Sequence, residues 1–225
     1  MKISRPPTHM IYDLDGVLLD TEPLYTQVTR EIVEAYGKEF DWSVKRDMIG
    51  RPSLEAAEHL VDALELPFSA LDYLDRRSSR LEELFASAVA VKGAERFTRE
   101  VGGCGVGQAV ATSSERRLFD IKSSGHRSWF SLFSAVVTGD DPRLAEGKPA
   151  PDIFLLAAAD LGAQPSGCLV VEDSPAGVEA ALRAGMQVIA LPDAAMEPGV
   201  FAGADLVIGG FDEIVPADLG LAPTS

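Results

Sequence analysis

The sequence predicts an α/β fold: a parallel sheet with helices on both faces and an α-helical cap inserted after the first strand. Three observations predict it. From residue 92 onwards, short apolar runs alternate with helical stretches, the pattern of a parallel sheet wrapped by its own crossovers. One more apolar run, Met10-Ile11-Tyr12, stands alone near the start of the chain. Between the two lies a stretch with helical spacing and no convincing strand. The expected organisation is a core of residues 1–20 and 92–225, split by a cap of residues 21–91.

The elements follow in order. The first run reads as a buried strand that ends in Asp13-Leu14-Asp15, with Gly16 directly after. Residues i and i+2 share a face of a strand, so both carboxylates start out on one side, and Gly16 lets the backbone turn sharply. Thr21 and Pro23 suit the N-cap and first turn of a helix. Leu24, Val28, Ile32 and Tyr36 recur at helical spacing; so do Leu54, Ala57, Leu60, Val61 and Leu64, then Leu71, Leu74, Leu81, Leu84 and Phe85. Gly37, Gly50-Arg51-Pro52 and Pro67 separate these runs.

Past the cap, a helix over 94–101 is stopped by Gly102-Gly103, and a strand over 106–112 runs into Ser113-Ser114. A weakly periodic helix over 115–123 and a short strand over 135–138 come next. Gly147-Lys148-Pro149-Ala150-Pro151 leads into a helix over 152–161, and a strand over 169–172 ends at Asp173. Ser174 and Pro175 open another helix as N-cap and first residue, and Gly185 closes it. Residues 187–191 and 206–208 read as further strands. The tail from Asp212 has little pattern and is expected to pack loosely.

Composition narrows the function. The chain has 225 residues, enough for a sizeable core, and its 46% hydrophobic and 24% charged residues are those of an ordinary globular protein. A formal net charge of −15 argues against nucleic acid or an anionic membrane as partner. A phosphate ligand would meet the same repulsion and needs a local basic group or a metal. Cys104 and Cys168 make neither a disulfide framework nor a zinc site and suit a reducing compartment. Residues 1–9 lack the apolar core of a signal peptide, and no apolar run approaches the roughly 18 residues of a membrane span. The expectation is a cytoplasmic protein, and a monomer.

Four features fall where an open parallel sheet binds its ligands, at the carboxyl ends of strands. Asp13 and Asp15 repel each other when close, and a bound cation is the usual remedy. Thr112-Ser113-Ser114 offers hydroxyls and backbone N–H groups suited to phosphate. Lys148 is a positive charge in a stiff, proline-flanked loop. Glu172 and Asp173 follow a buried strand directly, where acids are costly unless paired or metal-bound. Singly, the first three have ordinary explanations: an acidic turn, an N-cap, a surface lysine. Other patterns lead nowhere. Gly102, Gly103, Gly105 and Gly107 do not fit G-x-G-x-x-G and precede a strand, and Pro149 stands where a P-loop needs Ser or Thr. His9, His59 and His126 have no metal or triad spacing.

Taken in sequence, Asp13-Leu14-Asp15-Gly16-Val17, Thr112-Ser113-Ser114, Lys148-Pro149 and Glu172-Asp173-Ser174 resemble the four motifs of the haloacid dehalogenase-like superfamily. The insert resembles the C1 cap of its β-phosphoglucomutase-like subgroup. The wording of residues 8–25, 131–154 and 170–186 is similar to the pseudouridine-5′-phosphatase branch. The resemblance implies a Rossmann-like core and a Mg²⁺-dependent phosphomonoesterase acting on a small phosphorylated metabolite, a nucleoside or sugar monophosphate, with pseudouridine 5′-phosphate a candidate. It implies Asp13 as the nucleophile that forms an aspartyl-phosphate and Asp15 as general acid, then base. It implies Mg²⁺ on the Asp13 carboxylate, the Asp15 carbonyl and Asp173, with Glu172 as a further or outer ligand. Thr112, Ser113 and Ser114 would hold phosphoryl oxygens, Lys148 would touch both the phosphoryl group and Asp13, and Arg51 is the candidate contact from the cap to the substrate. A phosphomutase uses the same four motifs, and a non-catalytic phosphate-binding module is the third reading.

Overall fold

At the centre lies a strand whose side chains are buried on both faces. The structure, a computed structural model, describes residues 3–48, 53–193, 196 and 198–224. Among these, β1 (His9–Tyr12) pairs in parallel with β4 (Gly107–Ala111) on one side and β6 (Cys168–Glu172) on the other. β5 (Ala135–Val137) extends the sheet past β4; β7 (Gln187–Ala190) and β8 (Leu206–Val207) extend it past β6. The order is β5-β4-β1-β6-β7-β8, every pair parallel. Met10, Ile11 and Tyr12 are fully buried, as are Leu169, Val170 and Val171. Continuous apolar runs, rather than alternating ones, are what a sheet covered on both faces requires.

Neighbouring residues of β1 face opposite layers. Ile11 joins the core formed with α8 (Asp152–Asp160) and α9 (Pro175–Arg183), among Phe154, Ala157, Val178 and Ala181. Tyr12 points to α5 (Ala94–Gly103) and α7 (Arg127–Phe130), where a buried polar chain links the layers. Tyr12 donates to Gln108 at 2.9 Å, Gln108 to the Thr98 carbonyl at 3.0 Å, and Trp129 to the Thr98 hydroxyl at 2.7 Å. Every polar group buried there thus has a partner.

The chain divides into two compact units, Met1–Asp20 with Val89–Ser225, and Thr21–Ala88. The second unit is helical: α1 (Glu22–Glu34), α2 (Trp42–Met48), α3 (Ser53–Ala63) and α4 (Ala70–Phe85). Val33, Phe40, Ala57, Leu60, Leu66 and Tyr73 form its core. A reciprocal capping box between Ser69 and Asp72 starts α4.

Four local expectations change. α2 was unforeseen, because none of its residues is fully buried and only Val44 and Met48 pack on the core. Thr21 does precede α1, but its backbone is helical and its hydroxyl does not cap the helix. Residues 89–91, read as part of the helical stretch, include β3 (Val89–Ala90), antiparallel to β2 (Leu19–Asp20). Two-residue strands leave no periodicity to read. The tail from Asp212, expected to be loose, is anchored: Ile214 and Leu219 are buried, and Thr224 donates to the Gly103 carbonyl at 3.1 Å. Its apolar residues are set singly between tight turns, so they bury without a repeat. Among the described residues no helix is long and apolar enough to cross a membrane.

Candidate active site

The carboxyl ends of β1, β4 and β6 place the acids, hydroxyls and a lysine together. Asp13 prolongs β1, its N–H donating to the Val171 carbonyl at 3.0 Å. The chain then folds into a turn, with Gly16 donating to Leu19 at 2.8 Å and both Leu18 and Leu19 to Leu14. Gly16 has φ +76°, and a Cβ there would lie 2.1 Å from Asp173 Oδ2. Only glycine admits both the turn and the carboxylate that packs on it. Thr112 likewise prolongs β4 by donating to Val137 at 3.0 Å. Gly139 backs the serine loop: it donates to the Ser114 carbonyl at 2.9 Å, and a Cβ would collide with Ser113 at 2.2 Å.

Lys148 sits between two carboxylates. Its Nζ is 2.5 Å from Asp13 Oδ1 and 2.5 Å from Glu172 Oε1, with the Ala111 carbonyl at 3.3 Å and the Phe154 ring centre at 5.0 Å. The three charged side chains are nearly buried, 7% exposed for Lys148, 9% for Asp13 and 1% for Glu172. The remaining oxygen of Glu172 accepts from the N–H and the hydroxyl of Ser174, each at 2.9 Å. Ser174 in turn caps α9 by accepting from Gly177 at 3.0 Å. Glu172 is therefore committed on both oxygens, and it orients Lys148.

Asp15 has a separate set of partners. Lys122 Nζ contacts its two oxygens at 2.7 and 2.8 Å, and the Ser114 hydroxyl donates to Oδ2 at 2.9 Å. The Ser114 N–H is used as well, donating to the Thr112 hydroxyl at 3.0 Å. Lys122 is absent from the sequence reading. Phe119 and Lys122, three apart on α6 (Arg116–Lys122), are both buried, which puts the lysine on the inward face, a placement that only packing of the helix reveals. Arg51 lies outside the described residues. His9 is at the opposite, amino end of β1, bonded to Thr8.

The electrostatics follow from crowding. Burial first, then the charges of Glu172 and Asp15, push the Asp13 carboxyl up to about 7 against the pull of Lys148. Burial and the same acidic neighbours, with Asp13, hold Asp173 well above the usual carboxylate range. Lys148 is the converse: burial acts to lower it, and Asp13 and Glu172 outweigh that and raise it. Asp13 and Asp173 are thus oxygen donors whose repulsion Lys148 offsets only in part, which suits a hard cation. Among the described residues no three Asp, Glu, His or Cys side chains are already gathered as metal ligands.

A family model described as haloacid dehalogenase-like hydrolase matches residues 10–191, a span that contains Asp13, Asp15, Thr112, Ser114, Lys122, Lys148, Glu172 and Asp173. The chain belongs to the haloacid dehalogenase-like hydrolases. Its relatives place it with the phosphatases of that family. It is 43% identical over 219 residues to (DL)-glycerol-3-phosphatase 1, mitochondrial, of Arabidopsis thaliana, covering 95% of this chain and 74% of that protein. It is 40% identical over 223 residues to a Drosophila melanogaster protein named "Probable pseudouridine-5'-phosphatase", covering 98% and 96%. A haloacid dehalogenase family hydrolase from Deinococcus radiodurans, crystallised with phosphate and sodium, superposes with TM-score 0.80 at 26% identity, over 98% of this chain and all of that one.

Proposed function

We propose that the protein is a Mg²⁺-dependent phosphomonoesterase that cleaves a small phosphorylated metabolite through an aspartyl-phosphate on Asp13. The observation that carries this is the pair of acids closing β1 in two different settings: Asp13 buried against Lys148, Asp15 half-exposed and held by Lys122 and Ser114. A nucleophile and a proton donor on one strand end need such separate environments. An Asp13 carboxylate oxygen attacks phosphorus while the leaving oxygen takes the proton of Asp15. Asp15 then takes a proton from the water that attacks phosphorus, and the Asp13 carboxylate returns. Lys148 neutralises charge on the phosphoryl group and keeps Asp13 oriented. Asp13, Asp173 and the Asp15 carbonyl would hold the Mg²⁺, which screens the phosphoryl oxygens. Glu172 acts through Lys148.

The phosphate cradle differs from the simplest reading of the hydroxyl run. The Thr112 hydroxyl accepts from Ser114, so its own hydrogen is available to a phosphoryl oxygen, with the Ser113 N–H beside it. Ser114 orients Thr112 and Asp15 instead of binding phosphate through its hydroxyl. The slow uncatalysed hydrolysis of phosphate monoesters, which enzymes accelerate by up to about 10²¹-fold, makes such fixed charges more useful than new covalent chemistry.

For substrate class we propose polyol, sugar or nucleoside monophosphates. Relatives of similar identity carry names that point to glycerol 3-phosphate and pseudouridine 5′-phosphate. Arg51 remains the proposed contact to a polar part of the substrate. The thiols Cys104 and Cys168, both free, fit a cytoplasmic setting. The test is phosphate release from a panel of these esters with and without Mg²⁺. One ester far ahead of the rest, and dependent on Mg²⁺, supports the reading. No release from any ester with Mg²⁺ present overturns it, and isomerised sugar phosphate without free phosphate transfers the assignment to a mutase.

A further inference from the structure

Lys122 is the deepest charged group near the strand ends that the proposed chemistry leaves without a task. Its side chain is 1% exposed, whereas that of its partner Asp15 is 29% exposed. Its ammonium donates to Asp15 Oδ1 at 2.7 Å, Asp15 Oδ2 at 2.8 Å and Ser114 Oγ at 2.9 Å. Ser114 closes the ring by donating to Asp15 Oδ2 at 2.9 Å. A carboxylate held at both oxygens by one ammonium and at one of them by a hydroxyl has a fixed orientation. The grip comes from the protein interior, and the Asp15 side chain keeps 29% exposure while Lys122 keeps 1%.

Stability alone does not account for this arrangement. Lysine is rarely buried to this degree, and an apolar side chain of similar volume stabilises a core as well as a buried ion pair or better. The element carrying Lys122 also follows directly from the Thr112–Ser114 segment, so one short helix joins the phosphate-facing hydroxyl to the acid. We propose that Lys122, with Ser114, is a positioning residue for Asp15. It sets the orientation from which Asp15 passes its proton to the leaving oxygen, and it places a positive charge beside the carboxylate as that proton departs. As the bond from phosphorus to the leaving oxygen breaks, its electron pair accepts the Asp15 proton. Lys122 keeps its own protons throughout. The inference rests on the reading of Asp15 as the acid.

A positioning role for the acid predicts a dependence on leaving group. An alkoxide must be protonated to leave, and a nitrophenolate need not be. The experiment compares kcat/KM, which reports events up to departure of the leaving group, for glycerol 3-phosphate and p-nitrophenyl phosphate in wild type and Lys122→Met. General acid catalysis is typically worth 10²–10⁴-fold. The expected loss is about 10²-fold or more on the alkyl ester and under about 10-fold on the aryl ester. Equal losses on both esters, or no loss on either, overturn the inference while leaving the phosphatase reading intact. Where glycerol 3-phosphate is not cleaved, the best alkyl ester of the panel takes its place, and a wild type that releases phosphate from no ester overturns both. Circular dichroism checks that Lys122→Met is folded. Should it not be, Ser114→Ala, which keeps the ammonium–carboxylate pair, decides by the same ratio: a larger loss on the alkyl ester supports the role and a uniform loss overturns it.

Discussion

Asp13 and Lys148 depend on each other. Asp13→Asn keeps the shape of the buried side chain and removes the proposed nucleophile; turnover should fall at least about 10³-fold with the unfolding midpoint little changed, measured by phosphate release and thermal melting on one preparation. Lys148→Met behaves differently. It leaves Asp13 and Glu172 facing each other at depth with no cation between them, and breaking a buried pair in this way costs about 3–5 kcal/mol. Urea unfolding should show that loss, with activity gone as well. A Lys148→Met protein as stable as wild type would mean that the two acids are relieved by another route. Asp13, Lys148, Glu172 and Asp173 could be located from sequence because each stands at a strand end or in a proline-stiffened loop, where local pattern is informative. Lys122 could not: a single lysine in a seven-residue helix looks like a surface residue until the helix is packed.

Elements place these groups through close approach of backbone to side chain. The first turn of α9 is the clearest case. A Cβ on Gly177 would lie 1.8 Å from Glu172 Oε1, and Glu172 cannot swing away without releasing Lys148 and Ser174. Gly→Ala in a helix normally stabilises by about 1 kcal/mol. Here the sign reverses: Gly177→Ala should destabilise by about 1–3 kcal/mol, the range for overpacking, and lower activity with it. Equilibrium urea titration decides the sign. At the other end of the sheet's ligand edge, Arg143 ties the segment after β5 to α8, pairing with Asp141 at 2.8 Å and Asp160 at 2.7 Å. Hydrogen bonds from Arg143 bring Asp141 down to about 2 from 3.8 and lower Asp160 too. A lowered carboxyl contributes stability above its unfolded value and loses it as pH falls through the folded one. The advantage of wild type over Arg143→Ala in urea midpoint should therefore persist at neutral pH and fade between about 4 and 2. Strands and the longer helices were legible at this scale from apolar spacing. α2 and the β2–β3 pair were not, since α2 sets only Val44 and Met48 against the core and each strand has two residues.

Across the whole molecule, a net charge of −15 sets a background of self-repulsion that no single pair removes. Added salt should raise the urea midpoint from low ionic strength to about 0.15 M, where the Debye length is about 8 Å. A midpoint that falls instead would mean that the surface ion pairs outweigh the net charge. The split core was legible as a whole, because the strand that opens the chain and the alternation after residue 92 needed each other to make a sheet. The anchored tail was not, for Leu219 and Thr224 find their places only against α5. The sheet order has a consequence for how the protein comes into being. β1 is made first and sits in the middle, and His9 finds its neighbours at Gly107 and Cys168. On a ribosome adding about 5–20 residues each second, the strand bearing Asp13 waits on the order of ten seconds for β6 to emerge. Through that interval its two apolar faces and both hydrogen-bonding edges lack their native cover. The newborn chain is thus most exposed to aggregation, or to capture by a chaperone, at the segment on which its chemistry depends.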